Sequence, residues 1–275
     1  MNWKSQLSSD EWAQKDRFEA TYLRGQLPVF IAIEKRVCGC DYGGDSWTTQ
    51  PEAIEMIDSL RLTPSKSFLD LGAGAGWPGV YMARLSGCNA VLVDLPLAGL
   101  CIASERAALD GISERVRCIC ADAAALPLSD GGFDAISHSD LLCCLEQKRA
   151  VLTECRRVIS DGGKMAFTVI FVAPGLSERD YELAVENGPE FIRSDEPYDV
   201  LLSSTGWKVE ERKDITSQFS DSICRQIEAD DAHEHELCAA IGADVLKERM
   251  DGWRTKLPVI EARLIRREFF IVSAD

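Results

Sequence analysis

The sequence predicts an α/β fold built on a doubly wound, mostly parallel sheet. Three observations carry that expectation. From residue 66 onward, short apolar runs alternate with helical patterns. The strand runs are nearly continuous in apolar residues, as strands covered on both faces are. A glycine-rich turn, "LDLGAGAGWPG" (69–79), follows the first run, where such folds place a ligand loop.

The elements follow in order. "KSFLDL" (66–71) is the first strand, and "WPGVYMARLSG" a helix with Pro78 in its first turn and Gly87 at its stop. "AVLVD" (90–94) is the second strand, followed by a helix, "LAGLCIASERAALDG", that ends at Gly111. "RVRCICAD" (115–122) reads as a third, buried strand and "FDAIS" (133–137) as a fourth. "QKRAVLTECRRVI" sets Val151, Leu152, Cys155, Val158 and Ile159 on one helical face. "SDGG" then breaks the pattern before a fifth strand, "KMAFTVIFV". "GWKVEERKDI" (206–215) and "REFFIVSA" (267–274) complete the strands. Four units are expected: a helical cap over 1–62, an α/β core over 63–215, a helical lid over 216–266 and a final strand over 267–275.

Composition bounds the function. The chain has 275 residues, 46% of them hydrophobic, enough for one large domain with insertions or two small ones. The formal charge of −15 disfavours nucleic acid and anionic membrane surfaces and suits a neutral or cationic small molecule. The longest apolar run, "LPVFIAI" (27–33), is far short of a membrane span. "MNWKSQLSSDEW" lacks the order of a signal peptide. The chain therefore reads as soluble and cytoplasmic, and its 11 cysteines as reduced thiols. Cys38-x-Cys40, Cys118-x-Cys120 and Cys143–Cys144 lack zinc spacing, and no metal is expected. His233-x-His235 falls on a polar helix, where residues two apart do not face one another.

The glycine turn has two registers. Gly74-x-Gly76-x-x-Gly79 matches a dinucleotide fingerprint, and Asp70-x-Gly72-x-Gly74-x-Gly76 an S-adenosylmethionine turn. Asp70 is awkward beside a pyrophosphate and suits a methionyl ammonium, although it can equally bond turn amides. Asp94 can take both hydroxyls of a ribose, which either cofactor carries, and Leu95 can line the adenine. Asp122 can accept from an adenine amino group, with Ala123 small enough to let the ring approach.

With "VLVDLP", "CADAAALPLSDGGFDAIS" and "CRRVISDGGKMAF" in this order, residues 68–171 resemble the class I S-adenosylmethionine-dependent methyltransferases acting on small molecules. The resemblance implies a seven-stranded, Rossmann-like sheet whose last strand, "EFFIVSA", is antiparallel. It implies S-adenosylmethionine as cofactor and methyl transfer to a small-molecule acceptor. Asp70, Gly72, Gly74 and Gly76 would hold the methionyl part, Asp94 the ribose, Asp122 and Ala123 the adenine edge. Ser137 and His138 would line the methyl-transfer end. The chain departs from the pattern at Cys143–Cys144, where many relatives carry a histidine.

For the chemistry, His138 is a candidate base or a neutral ring packed under the cofactor, and Asp140 a candidate to orient a substrate amine. Tyr42 and Trp47, in "GCDYGGDSW", either close over the methionyl group or acceptor or anchor the cap. Phe219 or Trp253 would be apolar contacts of the lid, whose "EADDAHEHE" segment should bury little. Two other functions compete: a nicotinamide-dependent oxidoreductase, and a non-catalytic S-adenosylmethionine-binding protein.

Overall fold

The computed structural model describes residues 7–274. Residues 1–6, which belong to the expected cap and to the stretch read for targeting, lie outside the described residues, as does Asp275 of the expected final strand. Three helices precede the sheet: α1 (Ser9–Gly25), α2 (Pro28–Cys38) and α3 (Gln50–Leu60). Reciprocal capping boxes start two of them, Ser8 with Glu11 at α1 and Thr49 with Glu52 at α3. The apolar run 27–33 becomes α2, which buries Ile33, Val37 and Cys38.

The core runs β1 (Ser67–Leu71), α4 (Gly79–Ser86), β2 (Asn89–Asp94), α5 (Leu97–Leu109), β3 (Val116–Cys120), β4 (Phe133–Ser139), α6 (Lys148–Val158) and β5 (Ile159–Val172). Then come α7 (Glu178–Asn187), α8 (Tyr198–Ser204), β6 (Trp207–Asp214), α9 (Thr216–Ala232), α10 (Glu234–Ile241), α11 (Ala243–Glu261) and β7 (Ile265–Ala274). The strands form one seven-stranded sheet, ordered β3-β2-β1-β4-β5-β7-β6, with β7 antiparallel to both neighbours. Strand order reverses between β1 and β4, and ligands of open α/β sheets sit at that point.

Four expectations change. β3 is the sheet's edge strand, so Cys118 is only half-buried and Cys120 is exposed. "SDGG" does not end an element: β5 runs through it with a register shift against β4, and Gly162 takes φ +72° there. Two helices, α7 and α8, occupy residues that carried no expected element.

The fourth change is the burial expected of the lid segment. α9 packs onto the core through Phe219 and Ile223, and the polar segment buries Asp230 completely. The Asp230 carboxylate accepts from Gln226 Nε2 at 2.7 Å, Arg249 Nε at 2.7 Å and Trp253 Nε1 at 3.1 Å. A buried charge with a full set of donors is a fixed structural element, because loss of its partners leaves it uncompensated. The region is part of the folded body. Among the described residues no helix is long and apolar enough to cross a membrane.

Candidate active site

The glycine turn is shaped by its backbone. Gly72 (φ +66°) donates its amide to the Val93 carbonyl at 2.8 Å, and Gly74 (φ +50°) donates to Asp94 Oδ2 at 2.7 Å. Such φ values are strained for residues with a Cβ. Asp94 Oδ1 accepts from the Leu95 amide at 2.8 Å, so one carboxylate at the end of β2 braces the turn after β1. Burial pushes the Asp94 pKa up to about 6, against the pull of those two amides. Each oxygen keeps a lone pair for a further donor.

Asp70 does not lie on the cleft wall. It is fully buried beneath the turn, where Oδ1 accepts from Ser137 Oγ at 2.5 Å. A Cβ on Gly79 would lie 2.3 Å from its Oδ2, so this carboxylate fills the start of α4. Burial raises its pKa to about 7. The expected methionyl contact of Asp70 and the cofactor contact of Ser137 are thereby corrected: the pair supports the turn from within. Gly76 is likewise internal, packed on Val80 and Ala103. The same geometry removes the dinucleotide register, since the Gly79 helix terminus that would take a pyrophosphate holds a carboxylate.

A cavity of about 290 Å³ opens at the carboxyl ends of β1, β2 and β4. Gly72, Ala73, Asp94 and Leu95 form one end, and Asp140, Cys143 and Cys144 the other. Trp47 lies on its wall with Trp253 and Lys256 from α11. Helix α1 roofs it with Phe18 and Tyr22, which the sequence did not single out. A Cβ on Gly74 would meet the Tyr22 hydroxyl at 2.9 Å, so the open face of the glycine is covered by this tyrosine. Burial and the Asp94 charge raise the Tyr22 pKa.

Two expected adenine contacts, Asp122 and Ala123, lie outside this lining. Asp122 Oδ1 accepts from the Ala124 amide at 2.8 Å, and Oδ2 is buried without a partner among the described residues. Tyr42 is also off the wall: it is buried against Trp77 at 5.3 Å, with the Arg106 guanidinium 4.2 Å from its ring. Tyr42 therefore anchors the cap, while Trp47 reaches the cleft.

Of the two readings of His138, base or packed neutral ring, the geometry favours the second. His138 is fully buried, stacks on Phe167 at 4.5 Å, and neither ring nitrogen has a partner among the described residues. Strand alternation sends Ser139, not His138, to the cleft. Burial lowers the His138 pKa from 6.5 to about 3. The buried neutral ring thus contributes stability that is complete above pH 6.5 and lost as pH falls toward about 3. His138→Phe should bind cofactor as the parent does and should flatten this acid-side decline in denaturant titrations from pH 7 to 4. A variant that loses turnover while folded and binding would restore a catalytic histidine.

Asp140 (φ +51°) does line the cleft, but its carboxylate is held by Arg267 Nε at 3.1 and 3.0 Å. Arg267 is 1% exposed and also donates to Glu52 Oε1 at 3.0 Å and Thr168 Oγ1 at 3.2 Å. Cys143 donates its thiol to the Asp140 carbonyl at 3.0 Å, and burial pushes its pKa up, against a reactive thiolate. No cluster of metal-ligating residues occurs among the described residues.

Residues 69–167 match the family described as "Methyltransferase domain". The match runs from β1 into β5. Asp94, which braces the glycine turn, and the unpartnered Asp122 Oδ2 leave acceptor capacity that fits the hydroxyl and amino donors of S-adenosylmethionine. Over 203 residues the chain is 25% identical to phosphoethanolamine N-methyltransferase 3 of Arabidopsis thaliana, covering 74% of this chain and 41% of that protein. The chain spans about two fifths of the length of the first curated relatives it matches.

Solved structures share the fold of the methyltransferase domain and its flanking helices. Phosphoethanolamine N-methyltransferase 2 of Haemonchus contortus, with phosphomonomethylethanolamine and S-adenosylhomocysteine bound, superposes with a TM-score of 0.76 at 19% identity, over 93% of this chain and 59% of that one. The [4+2]-cyclase SpnF superposes at 0.71 and 20% identity, over 92% and 94%. A cyclase on this fold shows that shape alone does not set the chemistry.

Proposed function

We propose that the protein transfers a methyl group from S-adenosylmethionine to a small-molecule acceptor. The observation that carries the reading is one continuous cleft joining the Asp94-braced glycine turn to a walled pocket beyond it. Asp94 would hold the ribose, and Leu95 and Asp122 the adenine. When bound, S-adenosylmethionine supplies an activated sulfonium methyl, so alignment of the acceptor supplies much of the acceleration. Trp47, Trp253 and Tyr22 exclude water from the cleft and fix the acceptor's approach. Its eleven cysteines, none disulfide-bonded, favour a reducing, cytoplasmic setting.

His138 is buried against Phe167, and the Asp140 carboxylate is paired with Arg267. We assign proton removal, where the acceptor needs it, to Lys256. This lysine lies on the cleft wall, 5.2 Å from the Trp253 ring centre, and burial lowers its pKa. Lys256→Met should leave cofactor affinity within about twofold, lower turnover and remove the rise of activity with pH. An unchanged pH profile would transfer that role elsewhere. The overall reading is tested by calorimetric titration with S-adenosylmethionine and by release of S-adenosylhomocysteine across amine, phenol and carboxylate acceptors. Tight binding without release on any of them would leave a binding protein in place of an enzyme.

A further inference from the structure

Behind the Trp47–Trp253 wall lies a second cavity of about 250 Å³, set between α1, α2, α9 and α11. It shares Asp45, Ser46, Trp47 and Trp253 with the first, so the partition between the two is one short segment and two indoles. The indoles meet edge-on, 5.4 Å between centres. Trp253 is pinned by its hydrogen bond to the buried Asp230.

Size makes the second cavity necessary. The first, at about 290 Å³, is at the bottom of the range that a single drug-sized ligand occupies. A cofactor built from a nucleoside and an amino acid would take up much of it, so an acceptor of any bulk would extend past the indoles. The chemistry of the second cavity then sets the acceptor class. Its walls include Phe30, Ile33, Val37 and the two tryptophans.

The charges of its wall that are not exposed to solvent, Glu34 and Arg249, are already satisfied, while Arg24 and Asp45 are exposed. Glu34 accepts the amides of Tyr42, Gly43 and Gly44 at 2.6, 2.7 and 2.8 Å, and Arg249 is paired with Asp230. The Arg24 and Arg249 guanidinium groups lie 5.7 and 5.5 Å from the Phe30 ring centre. Asp45 stands on the partition, where its charge acts on Lys256 of the first cavity. Flat cationic and aromatic groups without a spare buried charge favour a flat, neutral partner.

Resting on the methyl-transfer reading, we propose that the two cavities form one acceptor site for a neutral, planar, largely apolar molecule. Its body occupies the second cavity, and its methyl-accepting atom passes the Trp47–Trp253 edge toward Lys256 and Cys143. The probe is 2-naphthol, followed by quenching of tryptophan emission in protein saturated with S-adenosylhomocysteine, with phosphoethanolamine as the small polar contrast. 2-Naphthol should bind the loaded protein. Thr21→Trp, which fills the second cavity from its rim, should raise its Kd at least tenfold and leave the S-adenosylhomocysteine Kd within twofold. If that variant does not fold, Phe30→Asn carries the same expectation.

Displacement of 2-naphthol by S-adenosylhomocysteine would overturn the proposal, as would equal affinity in the filled variant. Binding of phosphoethanolamine but not 2-naphthol would overturn it in favour of a small polar acceptor. Failure of S-adenosylhomocysteine itself to bind would instead strike the methyl-transfer reading, and 2-naphthol on the unloaded protein would still report on the second cavity.

Discussion

Arg267→Met is expected to destabilise the protein by about 3–5 kcal/mol, the largest effect of any single side chain proposed. The guanidinium is 1% exposed and bridges Asp140 after β4 to Glu52 on α3, with the Thr168 and Thr48 hydroxyls accepting from it as well. Methionine matches much of its volume but leaves two carboxylates facing each other with 11% and 12% of their side-chain surface in contact with water. The cost comes from those stranded charges more than from the lost attraction. Urea titration at pH 7 measures it directly. The triple replacement Arg267→Met, Asp140→Asn, Glu52→Gln should recover most of the loss, because no charge is then left unpaired. A single-variant loss below about 1 kcal/mol would show that water reaches the site and that the network does not hold the Asp140 segment.

Asp94→Ala should weaken S-adenosylmethionine binding by about 1.5–3 kcal/mol, the scale of lost charge-assisted hydrogen bonds. That corresponds to roughly a ten- to hundredfold rise in Kd. Two losses combine. The carboxylate is the proposed acceptor for the ribose hydroxyls, and its two oxygens also hold the amides of Gly74 and Leu95. Asp94→Asn keeps one acceptor oxygen and the side-chain shape, so it should lose less. Calorimetry on variants with parental circular dichroism is the measurement. Unchanged affinity in Asp94→Ala would remove both the ribose assignment and the brace.

Some of the site was legible in the sequence because its causes are local. Asp94 stands at a strand end twenty residues after Gly74, and the glycines mark backbone that must turn with positive φ. Trp47 was singled out by its place beside Gly43 and Gly44, but so was Tyr42, which packs inward under Arg106. His138 drew attention as a rare titratable residue, yet its direction depends on strand phase: one position along β4, Ser139 faces the cleft instead. Tyr22, Lys256 and Arg267 carried no signal. They come from a cap helix, a late helix and the last strand, and each acts on residues far away in the chain.

Sequence alone determined the alternation of strands and helices, the glycine turn and the carboxylates at or just past the ends of β1, β2 and β3. These depend on side-chain period, backbone freedom and strand ends, all properties of short segments. Only the tertiary structure decided which of those carboxylates faces a ligand. Asp70 and Asp94 look alike in sequence, but one is sealed beneath the turn with Ser137 and the other opens on the cleft. It also decided that the polar region after β6 is a packed part of the body, since Asp230 becomes tolerable in the interior only when Gln226, Arg249 and Trp253 converge on it. Burial and pairing of charge are sums over neighbours that the chain brings together only on folding, and no window of sequence contains them.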